Sequence, residues 1–218
     1  GSLLGVIVPF MLVVSLLMGT MYPAIDTTAG ERERGTLETI LTLPVTNQEL
    51  IFSKFLTVGT IGVASALLNV LSMGGIGVYL YKLAAQTTSM VSKIQVSKFV
   101  PAILVCCLCI LAFAVLISAL SMCFCVFAKT YKEANNYITP LMLLVMFASF
   151  IGFMPNVTLT RNMALVPVAN ICLLIRDLLA FKFSFSSITI VLFSNVAYGI
   201  IAVLVLGKLY NSEAILFG

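Results

Sequence analysis

Apolar and polar positions fall in long blocks along this chain. Leu3 to Ile25, Phe55 to Tyr81, Phe99 to Ala128, Ala134 to Thr160 and Phe183 to Gly207 contain no Asp, Glu, Lys or Arg. A helix rises ~1.5 Å per residue, and a bilayer span needs roughly 20 apolar residues. Each block is long enough to cross, with slack for tilt. The period-2 alternation of a membrane β-barrel is missing. The pattern therefore predicts an all-α membrane protein in which 1-218 form one transmembrane domain. Its five spans lie at about 3-23, 51-81, 99-128, 134-154 and 186-209.

Between the last two spans the pattern changes. Arg161, Pro167, Asn170, Arg176 and Asp177 interrupt the stretch from Pro155 to Lys182, leaving only short apolar runs. Runs of roughly 10–14 residues are re-entrant or interfacial more often than spanning. The segment at about 156-182 is read as a re-entrant helical element.

The other departure is a charged island. Only 9% of the residues are charged, yet five charges fall within Glu31 to Glu38. Leu37, Ile40 and Leu41 lie at i, i+3 and i+4 and form one apolar stripe. Glu31, Arg34 and Glu38 fall on the opposite side, where pairs of opposite charge help a helix slightly. The stretch at about 29-43 reads as an amphipathic helix at the membrane surface. Pro44 stops it, because the residue before a proline avoids the helical region. Thr46-Asn47-Gln48-Glu49 then has capping-box spacing and starts the second span. The island is thereby tied to a membrane helix.

Composition supports this class. Hydrophobic residues make up 61% of the chain and the mean hydropathy is +1.16, well above soluble domains. The N-terminus has no initiating Met and no basic n-region, so it is not read as a signal peptide. It starts at the mouth of a helix and is read as part of a longer protein.

The net charge of +4 comes from basic residues scattered singly at span ends. That distribution suits anchoring at a lipid bilayer and gives no nucleic-acid patch. The spans place six basic residues (Arg32, Arg34, Lys54, Lys129, Lys132, Lys208) on one side and six (Lys82, Lys93, Lys98, Arg161, Arg176, Lys182) on the other. Orientation is therefore not legible from charge bias.

Candidate chemistry is sparse. The chain has no His, which removes the ligands of an intramembrane metalloprotease. Cys106, Cys107, Cys109, Cys123, Cys125 and Cys172 lie in apolar segments without zinc-type spacing and read as small packing residues. No metal site or catalytic residue is expected. Nothing matches G-x-x-x-x-G-K-[ST], so the chain does not bind ATP through a P-loop. Asn69, Asn135, Asn136, Asn170 and Asn195 are amides suited to bonding between helices or to lining a polar path. Arg176 and Asp177, with Asn170, are candidates for a gate or path. The alternative for the charged residues is a neutralised structural pair or an interface anchor.

The stretch Glu31-Arg32-Glu33-Arg34-Gly35-Thr36-Leu37-Glu38, followed by Leu43-Pro44-Val45-Thr46 and Lys54-Phe55, resembles the permeases of type-2 ABC exporters. In that family the pattern forms the cytoplasmic coupling helix between the second and third membrane helices. Two further stretches resemble the NatB-like, sodium-export branch: Tyr131 to Tyr137 with Pro140-Leu141-Met142, and Val166 to Asn170 with Arg176-Asp177-Leu178-Leu179. Family members also have a first membrane helix, and this branch has a large external domain after it. Neither is in this sequence.

The resemblance implies a multi-pass permease of a cell membrane of the prokaryotic inner-membrane type. It is not itself an enzyme and is driven by a separate ABC ATPase subunit that binds ATP-Mg. A second permease copy or a related permease would complete a dimer around a central path. Glu31, Arg32, Glu33, Arg34, Gly35, Thr36 and Glu38 would couple to the ATPase. The island and Lys129 to Glu133 would be cytoplasmic, and 156-182 external. Sodium is the substrate implied by the branch. Drugs, peptides or lipids are the alternatives, as is a membrane scaffold without transport.

Overall fold

The computed structural model describes residues 3–36, 39, 46–87, 99–154, 157–180, 182 and 184–210. Six main helices follow in chain order: α1 (Leu3–Ile25), α2 (Asn47–Thr87), α3 (Phe99–Cys125), α4 (Tyr131–Ser149), α5 (Ala169–Leu179) and α6 (Phe185–Tyr210). All except α5 are long and apolar enough to cross a membrane, and the described residues contain no strand.

The element ends differ in places from those drawn from hydropathy. α1 passes through Pro23 and runs on through a π-helical turn, Asp26–Gly30, into Glu31–Glu33. Thr27 and Thr28 direct their hydroxyls back to the carbonyls of Pro23 (2.7 Å) and Ala24 (2.6 Å). They hold polar backbone in a turn whose ordinary i→i+4 ladder is displaced. The helical path stops at Gly35, whose φ of 70° favours a residue without Cβ. The first part of 29-43 is thus a continuation of α1. Leu37, Glu38 and residues 40–45 lie outside the described residues.

The two caps are clear. Glu49 N–H donates to Thr46 Oγ1 (3.4 Å) and Thr46 N–H donates to Glu49 Oε2 (2.8 Å), the reciprocal capping box expected before α2. Thr130 does the same work for α4, accepting from Glu133 N–H at 3.2 Å. It places α4 three residues earlier than the apolar block begins.

α1 is the central element. It packs along α2 and also touches α3, α4 and α5, while α3 packs along α6. Leu12, Val13, Leu16, Leu17, Met21, Ala24 and Ile25 are buried, and so are Phe113, Ile117 and Met122 of α3. α1 and α2 approach closely because each offers a glycine. A Cβ on Gly19 would lie 2.4 Å from Ser65 Oγ, and one on Gly62 would lie 2.3 Å from Thr20 Cγ2. Small residues at the crossing are the usual way for helices to associate where lipid supplies no hydrophobic contrast. α2 is otherwise the least enclosed span and α3 the most.

Candidate functional site

The alternating course of the helices gathers the C-terminal ends of α1 and α3 and the N-terminal ends of α2 and α4 at one end of the bundle. The charged island sits there. Its side chains are engaged with three other parts of the chain.

Lys54 stands about two turns into α2 and its side chain is only 5% exposed. Its ammonium donates to the carbonyl of Thr27 at 2.7 Å and forms an ion pair with Glu31. A buried lysine stays charged at a site like this only with such partners. The π turn supplies one of them, the Thr27 carbonyl. Arg32 donates to the carbonyl of Ala128, just past α3, at 3.4 Å. The Glu33 carboxylate accepts the backbone N–H of Tyr131, the first residue of α4, at 2.6 Å. Arg34 folds back over Gly30 to pair with Asp26. A Cβ on Gly30 would crowd both partners at 3.1 Å, so glycine clears the path of that bridge.

Beneath these contacts Ala29, Ala128 and Ala134 are fully buried. Above them Glu33, Arg34, Gly35 and Thr36 face solvent, and Thr36 Oγ1 donates to the carbonyl of Glu31 at 3.1 Å. Of the expected coupling residues, six are thus brought together here, and Glu38 lies outside the described residues. Sequence reasoning placed Lys54 and Tyr131 in motifs but did not foresee the pairings of the island with Lys54, Ala128 and Tyr131, nor of Lys54 with Thr27. The lone lysine at the mouth of an uncharged block, immediately before Phe55, was the available signal for the first. The T-x-x-E spacing of Thr130 and Glu133 was the signal for the early start of α4.

The opposite end holds the other candidates. Asn170, Ser194 and Asn195 are buried together. The Asn170 amide donates to the Ala164 carbonyl and to Ser194 Oγ, both at 3.1 Å. Asn195 donates to Asn170 Oδ1 at 3.4 Å and to the Val191 carbonyl at 3.0 Å, while its own Oδ1 has no partner. Pro167-Val168-Ala169 forms a γ-turn, with Ala169 N–H donating to the Pro167 carbonyl at 2.9 Å and Val168 at φ 70°, ψ −58°.

Arg176 does not pair with Asp177. Adjacent residues on a helix point in different directions. Its guanidinium gathers the carbonyls of Gly152 (3.2 Å), Met154 (3.3 Å) and Val157. Arg176 therefore fastens the end of the Phe150–Phe153 turn, which continues α4, to α5. Asn69 is separate from both ends, and its Oδ1 is buried with no partner.

The chain matches the family described as ABC-2 family transporter protein over residues 1–208. It is 27% identical over 180 residues to the ABC transporter permease protein NatB of Bacillus subtilis (strain 168), an alignment covering 81% of this chain. The same alignment covers 45% of that relative, so the chain spans less than half its length. No solved structure matches.

Proposed function

This chain belongs to the ABC-2 family of transporter proteins, and on that premise we propose that its charged end couples a separate ATP-hydrolysing subunit to the membrane helices of an exporter. It is a multi-pass membrane protein of the permease type, with five spans.

The observation that carries the reading is the triple attachment of the island. Lys54 joins it to α2, Arg32 to the end of α3, and Glu33 to the start of α4. A subunit gripping the exposed residues Arg34, Gly35 and Thr36 pulls on a piece that is continuous with α1 and bonded to three neighbours. These attachments support the reading because they give movement of the island three routes into the bundle. Coupling further requires that the ATPase subunit bind two states of the permease with different affinity. In this reading the charged end faces the cytoplasm, ATP-Mg is held by the partner, and a second permease completes the path.

Sodium is the cargo we propose, on the strength of the stretches Tyr131 to Tyr137 and Val166 to Asn170 that resemble the sodium-export branch. Drugs, peptides or lipids are the alternatives.

The test of coupling is Arg34→Glu in the full-length protein, in membranes, with its ATPase subunit. Arg34 and Asp26 are well exposed, at 59% and 56%, so their pair contributes at most about 1 kcal/mol to stability. Charge reversal is expected to abolish association and ATPase stimulation with membrane insertion unchanged. Wild-type association would sink the docking assignment. For the cargo, sodium efflux from energised vesicles that is insensitive to Arg34→Glu would remove sodium from consideration.

A further inference from the structure

We infer that Glu33 is the positioning residue that carries the partner's movement into α4, separately from the route through Lys54 into α2. The inference rests on the coupling reading above.

The island has two kinds of attachment. The Lys54 contact is buried and ends on a side chain of α2. The Glu33 contact ends on backbone, on the N–H of the first residue of α4. That N–H is one of the orphan donors every helix leaves at its start. Thr130 Oγ1 serves Glu133 N–H and Glu133 Oε2 serves Lys129 N–H, at 3.2 and 2.9 Å, so the helix caps its own neighbouring donors. The Tyr131 N–H is left for the island. A carboxylate there also sits at the positive end of the helix dipole.

The contact grips the axis of α4 rather than a mobile side chain. α4 in turn runs to the Phe150–Phe153 turn, where Gly152 and Met154 accept from Arg176. A shift of the island along α4 is thereby delivered to the far end of the bundle. The two routes lead to different helices and are separable by mutation.

Tyr131→Pro removes the donor in question together with the phenol side chain. Proline is favoured at the first position of a helix. The residue before it, Thr130, already has the extended backbone that a following proline demands, at φ −127° and ψ 158°. Tyr131→Ala removes the same side chain and keeps the N–H. Glu33→Gln keeps an acceptor and drops the charge.

The experiment measures distances between site-specific probes introduced as unnatural amino acids, in the full-length protein with its ATPase subunit. One pair reports α4 (Asn136 to Lys208) and one reports α2 (Ser53 to Lys208); all three positions are exposed. Distances are compared without nucleotide and after trapping with Mg-ATP and vanadate. Unmodified protein and Tyr131→Ala are expected to shift at both pairs. Tyr131→Pro is expected to lose the α4 shift and keep the α2 shift, with association unchanged, and Glu33→Gln to reduce the α4 shift. A wild-type α4 shift in Tyr131→Pro overturns the inference and leaves coupling standing. No shift at either pair in the unmodified complex overturns both.

Discussion

Each end of the bundle has a basic side chain that ties two elements together, yet the two are held in different ways. Lys54 at the charged end is almost fully enclosed and has one carbonyl and one carboxylate as partners. Arg176 at the other end is half-buried and has three backbone carbonyls and no carboxylate. The planar, five-donor guanidinium suits the second task, because it can reach several fixed acceptors at once. The ammonium suits the first, because it is a compact charge that meets a single counter-ion. The carboxylate facing Lys54 belongs to the island, so the charged end responds to anything that displaces the island. The Arg176 end has no such removable partner. One end is built as a joint, the other as a fastening.

Lys54→Ala should show the largest effect. It leaves Glu31, only 19% exposed at its side chain, with no counter-ion. Breaking a buried pair by removing one partner costs about 3–5 kcal/mol. Lys54→Ala combined with Glu31→Ala should recover a large part of that loss, since no charge is then stranded. Denaturant unfolding in detergent micelles measures both. If the double variant is no more stable than Lys54→Ala, the pair is not what holds the joint.

Arg176→Lys comes next. One ammonium does not span three carbonyls whose spacing fits a guanidinium fork. Leaving some of them unmet should cost about 2 kcal/mol, from ~1–3 kcal/mol for an unsatisfied group. The same substitution should leave association with an ATPase subunit untouched, whereas Lys54→Ala should weaken it. Equal loss of association in both would erase the distinction between joint and fastening.

The contrast also explains what was legible in the sequence. The five spans were, because bilayer thickness imposes a length and an absence of charge that any window reveals. The Thr46–Glu49 cap was, because its four-residue spacing is local. The wiring of the island was not. Lys54 lies 23 residues from Glu31, and Tyr131 lies 98 residues from Glu33. Such pairings are products of packing, and no local pattern encodes them. The reading of Arg176 beside Asp177 as a charge pair failed to foresee the carbonyl clamp for a related reason. Backbone acceptors are invisible in a sequence, since every residue carries one. The extension of α1 beyond Pro23 was not foreseen by the span drawn at about 3-23, because a membrane helix tolerates proline in its interior.

The smallest expected effects concern the two residues with positive φ among the described ones, one at each end. Gly35 and Val168 both have a φ of 70°. At Gly35 that conformation is free of strain, and a Cβ there would meet nothing within 4 Å. Gly35→Ala should therefore cost only the backbone penalty, about 1 kcal/mol, being ~1–2 kcal/mol for the left-handed region less the entropy gained in the unfolded chain. Val168 adopts the γ-turn with a branched side chain that is 4% exposed. Val168→Gly releases strain of about 1–3 kcal/mol and forfeits about 2 kcal/mol of apolar burial. The net change should lie within about 1 kcal/mol of zero. Val191→Gly, at a fully buried helical valine, should cost about 3 kcal/mol, from that same burial loss plus the helix penalty of glycine. Unfolding midpoints of the three variants settle the matter. If Val168→Gly falls as far as Val191→Gly, the γ-turn holds no strain, and the fastening at that end is as relaxed as the stop at Gly35.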